Sequence, residues 1–271
     1  MISTLRPRRS APLLALLAPL AFAMPGRGLA QFAPPAPPPP VSGRAAAPQD
    51  FTGYWVSLVT EDWRYRMITP DRGDFQGVPL NPAGRKLAQR WDPAQDEARG
   101  LQCKAYGAAA IMRVPTRLHI SWADDETLRV ETDAGEQVRL LHFGVTRPER
   151  ATPSWQGYSV ASWEGLRPGI LRGTVSRGIQ QSGELAPEGY LKVVTTQLRP
   201  GYLRKNGVPY GPEANVEEYF DGFKEPNGDR WLVVTTIVTD PEYLVEPFVT
   251  SSHFKKIPDG EGWHPMPCEA R

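Results

Sequence analysis

The feature that most constrains this chain is a series of short segments with alternating apolar and polar residues, joined by very short turns. Residues 117–122 place Leu118, Ile120 and Trp122 on one side. Residues 127–132 alternate again, and 136–143 form a third such segment. Asp124-Asp125-Glu126 and Asp133-Ala134-Gly135 lie between them as turns. A period of two is the signature of a strand, and connections this short permit only antiparallel neighbours. Further strand-like segments fall at 53–60, 63–68, 158–163, 191–198, 215–220, 231–238 and 248–256. The total is about nine or ten strands. An open sheet of that size leaves two unpaired edges, and closure removes them. The sequence therefore predicts a mainly β chain, an antiparallel up-and-down (lipocalin-like) barrel with one or two short helices.

The helices are placed by their caps. Asn81-Pro82 is a helix start, and Asp92-Pro93 ends that helix after about residue 90. A second short helix is expected at 94–98. Residues 165–189, rich in Gly and Arg, are long for a connection and read as an insertion or a lid.

The first 48 residues predict export. Arg6, Arg8 and Arg9 precede an apolar run from Ala11 to Ala23, and Gly28-Leu29-Ala30 offers small residues to a signal peptidase. The run is too short to span a membrane. Cleavage is expected at Ala30 or nearer Ala23. Residues 31–48 then form a proline-rich spacer of polyproline character. The expected organisation is a signal peptide at 1–30, a linker at 31–48 and one barrel domain at 49–271, working in the periplasm or outside the cell.

Charge bears on partners. Of 31 Lys and Arg residues, four lie in the leader, against 30 Asp and Glu, so the remainder is mildly acidic. That argues against nucleic acid, which needs clustered basic residues. The two cysteines, Cys103 and Cys268, read in an exported chain as one disulfide, with unpaired thiols as the alternative. A loop of that length would contribute on the order of 4–5 kcal/mol in the chain-entropy model.

Two resemblances follow from particular residues. Asp50-Phe51-Thr52-Gly53-Tyr54-Trp55 resembles the first strand of the lipocalin-like (calycin) barrels, which carry Gly-x-Trp there. The resemblance implies that Trp55 closes one barrel end beneath a basic side chain from the last strand. Lys255 or Lys256 would take that place, where the family has arginine. Segments around Cys103, Ile111-Met112-Arg113, Pro153-Ser154-Trp155, Trp163-Glu164-Gly165, Glu218-Tyr219 and Asp240-Pro241 are similar to a group of exported bacterial proteins of unassigned function. The chain departs from that group at Glu217-Glu218-Tyr219, where the group has Glu-Arg-Tyr, and in extra residues after Trp163-Glu164-Gly165. This resemblance implies a fold and a compartment, and no reaction.

Candidate site residues follow from side-chain chemistry. On a strand, Asp62, Arg64 and Arg66 would share one face and Trp63, Tyr65 and Met67 the other. Facing a barrel interior, the arginines would hold a carboxylate. The alternative is an amphipathic strand with a solvated basic face. Arg113 is a second candidate for a buried cation, or else a turn arginine. Trp155 would rim a pocket or pack over the barrel end. Of Glu217 and Glu218 only one can point inward, and a lone inward carboxylate would suit a general base. Gly157-Tyr158-Ser159-Val160-Ala161 approaches the serine nucleophile elbow but ends in alanine and leads into a strand. His119, His142, His253 and His264 are scattered, and only His119 and His142 would meet across strands. No phosphate-cradling loop, metal or cofactor is called for.

The leading expectation is an exported barrel that binds a small, largely apolar molecule with a polar or acidic group. Trp55, Trp63, Trp155 and Tyr219 would supply apolar walls, and Arg64, Arg66 and Arg113 the polar end. The rivals are an enzyme on the same barrel (isomerase, hydratase or hydrolase) and a structural or interaction module of the envelope.

Overall fold

The computed structural model describes residues 41–144, 152–165 and 189–271. The expected leader, most of the spacer and most of the 165–189 segment lie outside the described residues.

The chain enters β1 (Gly53–Leu58), then a segment holding α1 (Trp63–Arg66), α2 (Pro82–Ala88), α3 (Pro93–Ala98) and 3-10 turns at Gln102–Tyr106 and Ile111–Arg113. The meander β2 (Arg117–Asp124), β3 (Thr127–Thr132) and β4 (Val138–His142) follows as expected. Next come β5 (Tyr158–Glu164), β6 (Tyr190–Thr196), the hairpin strands β7 (Gly201–Arg204) and β8 (Val208–Tyr210), then β9 (Asn215–Lys224), β10 (Arg230–Thr239) and β11 (Phe248–Ile257). The Asn81 cap acts as the sequence predicts, and Asp92, read as the end of the first helix, also caps α3. The Asn81 side chain accepts from the Gly84 amide at 2.9 Å, and Asp92 accepts from the Ala94 and Gln95 amides.

Nine strands close one barrel in the order β1-β11-β10-β9-β6-β5-β4-β3-β2, so the mainly β barrel is the observed fold. One ladder departs from the antiparallel expectation: β4 and β5 run parallel, through Leu141↔Ser159 and His142↔Val160. The reason is parity. A closed ring with an odd number of strands cannot alternate direction all the way round, so one neighbouring pair must share a direction. The β7–β8 hairpin stands outside the ring as its own two-stranded sheet.

The lumen is filled by the chain's own side chains. Trp55, Leu118, Leu141, Leu191, Phe220 and Phe254 are each at most 1% exposed. At the end where β1 begins, aromatic rings stack into a plug. Phe51 lies 5.9 Å from Trp163, Phe143 lies 5.3 Å from Trp163, and Trp122 lies 5.5 Å from Phe143. Trp163 Nε1 donates to the Gly43 carbonyl at 2.6 Å, which ties the entering chain across this end. A Cβ on Gly43 would fall 2.4 Å from the Phe143 ring, so only glycine permits that approach. The other end is covered by the helical segment and the hairpin, which share a second apolar core around Phe75, Leu80, Leu203, Tyr210, Leu244 and Phe248.

The residues 63–68, read as a strand, form α1 and its flank. Strand-like composition yields here to tertiary contacts. Asp62 takes the left-handed conformation (φ 50°), and its carbonyl accepts from the Tyr65 and Arg66 amides. That turn separates Arg66, which is buried, from Arg64, which is exposed.

The two cysteines are joined. Cys103 and Cys268 form a disulfide spanning 165 residues, which fastens the C-terminal tail to the first 3-10 turn. Among the described residues no helix is long and apolar enough to cross a membrane.

Candidate functional site

The seven residues expected to form one site are divided among four places. Trp55 belongs to the aromatic end of the barrel. Its Nε1 donates to the Phe51 carbonyl at 2.8 Å, and Lys256 Nζ lies 5.5 Å from its ring centre. Lys256 thus takes the covering position implied by the lipocalin resemblance, while Lys255 reaches Asp229 at 2.7 Å. Burial pushes the Lys256 ammonium below its ordinary pKa. Tyr219 sits on the outer face of β9, its hydroxyl on Glu217 and Lys192 beside its ring. Trp155 is half-buried outside the barrel wall, with its Nε1 on the Pro200 carbonyl and Arg199 stacked 4.5 Å from its ring. Of the other four, Arg66 and Arg113 come together at the covered end, whereas Arg64 is exposed and pairs with Asp74 at 3.2 Å and Trp63 is exposed on the same helical turn.

That end holds a cluster that sequence reasoning found only in part. Arg66, Arg113 and Arg204 are 7%, 6% and 4% exposed and line one cavity of about 30 Å³. Arg66 is fully engaged: Nε donates to the Arg113 carbonyl at 2.8 Å, Nη2 to Ser57 Oγ at 3.2 Å, and Nη1 pairs with Glu61. Arg113 Nη1 pairs with Asp62 at 3.0 Å, and its guanidinium lies 5.5 Å from the Phe248 ring. Arg204 stacks 4.3 Å from the Tyr65 ring and donates Nη1 to the Gln76 carbonyl at 2.8 Å. Two donors remain buried without a partner, Arg113 Nη2 and Arg204 Nε. Burial, and then the neighbouring Arg113 charge, push the Arg204 guanidinium down to about 10. Burial lowers Arg66 as well, against the pull of Glu61. Ile68, 65% exposed, also lines the cavity, and Trp63 and Met67 of the same segment are 62% and 59% exposed without lining it.

A second cluster lies inside the barrel. Arg139 on β4 and Glu218 on β9 both point inward and are 1% and 0% exposed. Nη1 meets Oε1 at 2.9 Å and Nη2 meets Oε2, a bidentate pair. Nη2 also donates to Thr195 Oγ1 at 3.3 Å, which is 2.7 Å from Ser159 Oγ. Glu218 is therefore the inward member of the Glu217–Glu218 pair, but it is not a lone carboxylate. Ser159 is a member of this network.

Between α3, the first 3-10 turn and β7, a cleft of about 270 Å³ is lined by Trp91, Tyr202 and Tyr243. In its wall Lys104 Nζ contacts Asp96 at 2.9 Å and the Tyr202 hydroxyl at 3.2 Å, and that hydroxyl donates to Asp96 at 2.7 Å. Burial, then this hydrogen bond, raise the Tyr202 phenol. His119 and His142 do not meet. His119 contacts Glu131 at 2.9 Å, and His142 stacks 4.9 Å from Tyr158. Among the described residues no group of three or more His, Cys, Asp or Glu side chains is placed to hold a metal.

The fold defines a closed β-barrel protein with three buried arginines around a small cavity at its covered end. Compared with family models, with curated proteins and with solved structures, the chain matches none.

Proposed function

We propose that this chain is an exported, lipocalin-like barrel that binds a small, largely apolar molecule carrying an acidic group, at the barrel mouth. The observation that carries the reading is the cavity that Arg66, Arg113 and Arg204 line together with Ile68, whose own segment also exposes Trp63 and Met67 as an apolar rim. Such a mouth suits an amphiphile, with its acid on the arginines and its apolar part along the rim. The filled lumen favours the mouth over an interior site. The proposed organisation keeps the signal at 1–30, the spacer at 31–48 and one domain at 49–271. The disulfide fits an oxidising compartment.

An enzyme on the same barrel would draw on Glu218 beside Arg139. That carboxylate has both oxygens on one guanidinium, so the pair supports the lumen rather than meeting a substrate.

Titration with decanoate and with decanol tests the proposal, since the two differ only at the head group. Charge-assisted hydrogen bonds contribute about 1.5–3 kcal/mol, so decanoate is expected to bind at least about tenfold more tightly. Arg113→Met is expected to remove that preference and Trp63→Ser to weaken both ligands. Equal affinity for acid and alcohol, or no binding of either, would refute the reading.

A further inference from the structure

We infer that the cavity between Arg113 and Arg204 is a built site for one small monovalent anion, a carboxylate or a halide. The inference rests on the proposed mouth but concerns its head-group position alone.

Three features carry it. The first is uncompensated charge. Arg66 has Glu61 and Arg113 has Asp62, but no carboxylate lies within ion-pair distance of Arg204 among the described residues. No acidic residue lines the cavity, and Lys205 adds a further cation to its wall. Asp62 and Asp74 act on Arg204 only from beyond ion-pair distance, and a guanidinium 4% exposed without a direct counter-ion is costly, a cost that proteins resolve by supplying one. The second is a pair of idle donors. Arg113 Nη2 and Arg204 Nε are buried without partners, on two residues lining the same cavity. Buried donors are nearly always satisfied, so these two mark an acceptor with two oxygens or a spherical anion. The third is size. A water needs about 10–15 Å³ by this measure, so about 30 Å³ admits two or three heavy atoms. That fits a carboxylate or a chloride more closely than a larger tetrahedral oxyanion.

The neighbouring structure holds the donors in place. Tyr65 and Phe248 fix the planes of both guanidiniums by stacking. Asp62, in its left-handed conformation, anchors Arg113 Nη1 and so orients Nη2. Strain of this kind persists where surrounding contacts impose it, and it concentrates at binding sites.

The test is calorimetric titration of the exported protein, freed of small anions, with sodium acetate, sodium chloride and sodium phosphate at constant ionic strength. Saturable binding of acetate or chloride, with phosphate at least tenfold weaker, is the expected result. Arg204→Met should reduce that affinity at least tenfold. Arg204→Lys keeps the charge but loses the Nε donor, and it should weaken acetate while leaving the fold intact. Arg44→Met, an exposed residue paired with Asp125, should change nothing. Acetate binding alone assigns the site to the acid end of a ligand, and chloride binding alone to a free halide. No saturable binding, or binding unchanged in both Arg204 variants, overturns the inference. Acetate has no apolar part, so acetate binding without decanoate preference would refute the proposed function and leave this site standing.

Discussion

Glu218→Ala is expected to destabilise the barrel by about 3–5 kcal/mol, among the largest single effects in the molecule. The substitution leaves the Arg139 guanidinium in the lumen, 1% exposed, with Thr195 as its remaining contact. Burying that charge unpaired costs far more than the lost pair itself contributed. The logic predicts the sign of a second variant. Arg139→Met combined with Glu218→Leu removes both charges and fills the layer with apolar volume, so it should recover most of the loss. Denaturant unfolding of Glu218→Leu, Arg139→Met and the double closes the cycle. A double variant no more stable than either single would show that the pair is not the source. A loss below about 1 kcal/mol in Glu218→Ala would show that water reaches the lumen.

The second large effect belongs to the disulfide. Cys103→Ser with Cys268→Ser is expected to cost about 4–5 kcal/mol, because the bridge closes a very long loop and so restricts the unfolded chain. The folded state should change only locally. The tail is also held by the Gly135 amide on the Met266 carbonyl and the Met266 amide on the Asp133 carbonyl, both at 2.8 Å, by the Glu269 amide on the Tyr106 hydroxyl at 3.4 Å, and by Lys205 on the Arg271 carbonyl at 3.0 Å. Without the bridge these contacts alone anchor residues 264–271, and their amides should lose exchange protection first. Unfolding with and without reductant measures the total. A midpoint unmoved by reduction would place the stabilisation elsewhere.

Much of the barrel was legible because alternation reports a half-buried sheet directly. The meander at β2–β4, the cap at Asn81, the helix break at Asp92-Pro93 and the cysteine pair were each visible from local signals. What escaped depended on distant partners. Arg139 is in phase with Leu141, which marks it as inward, but Val138 and Leu140 are apolar and 39% and 42% exposed, so the alternation was blurred. Its partner Glu218 stands 79 residues away and arrives only through the ladders β4–β5, β5–β6 and β6–β9. Arg64 and Arg66 were assigned to one face by a period of two. The single helical turn at α1 obeys a different period and buries only Arg66. Arg204 gave no signal, since nothing in Gly201–Arg204 shows that Tyr65 and Arg113 will pack against it.

The odd strand number also decides how this cylinder can come undone. Its two longitudinal joints are unequal. The β1–β11 joint is stitched by five residue pairs, whereas the parallel β4–β5 joint has two. Parallel pairing is also slightly weaker per residue. The wall is thus a sheet rolled from two halves, with one firm hinge and one light clasp. A breathing motion that splits the tube lengthwise is expected to begin at the clasp, beside Arg139 and Ser159, and to admit water to the charged layer before the oily one.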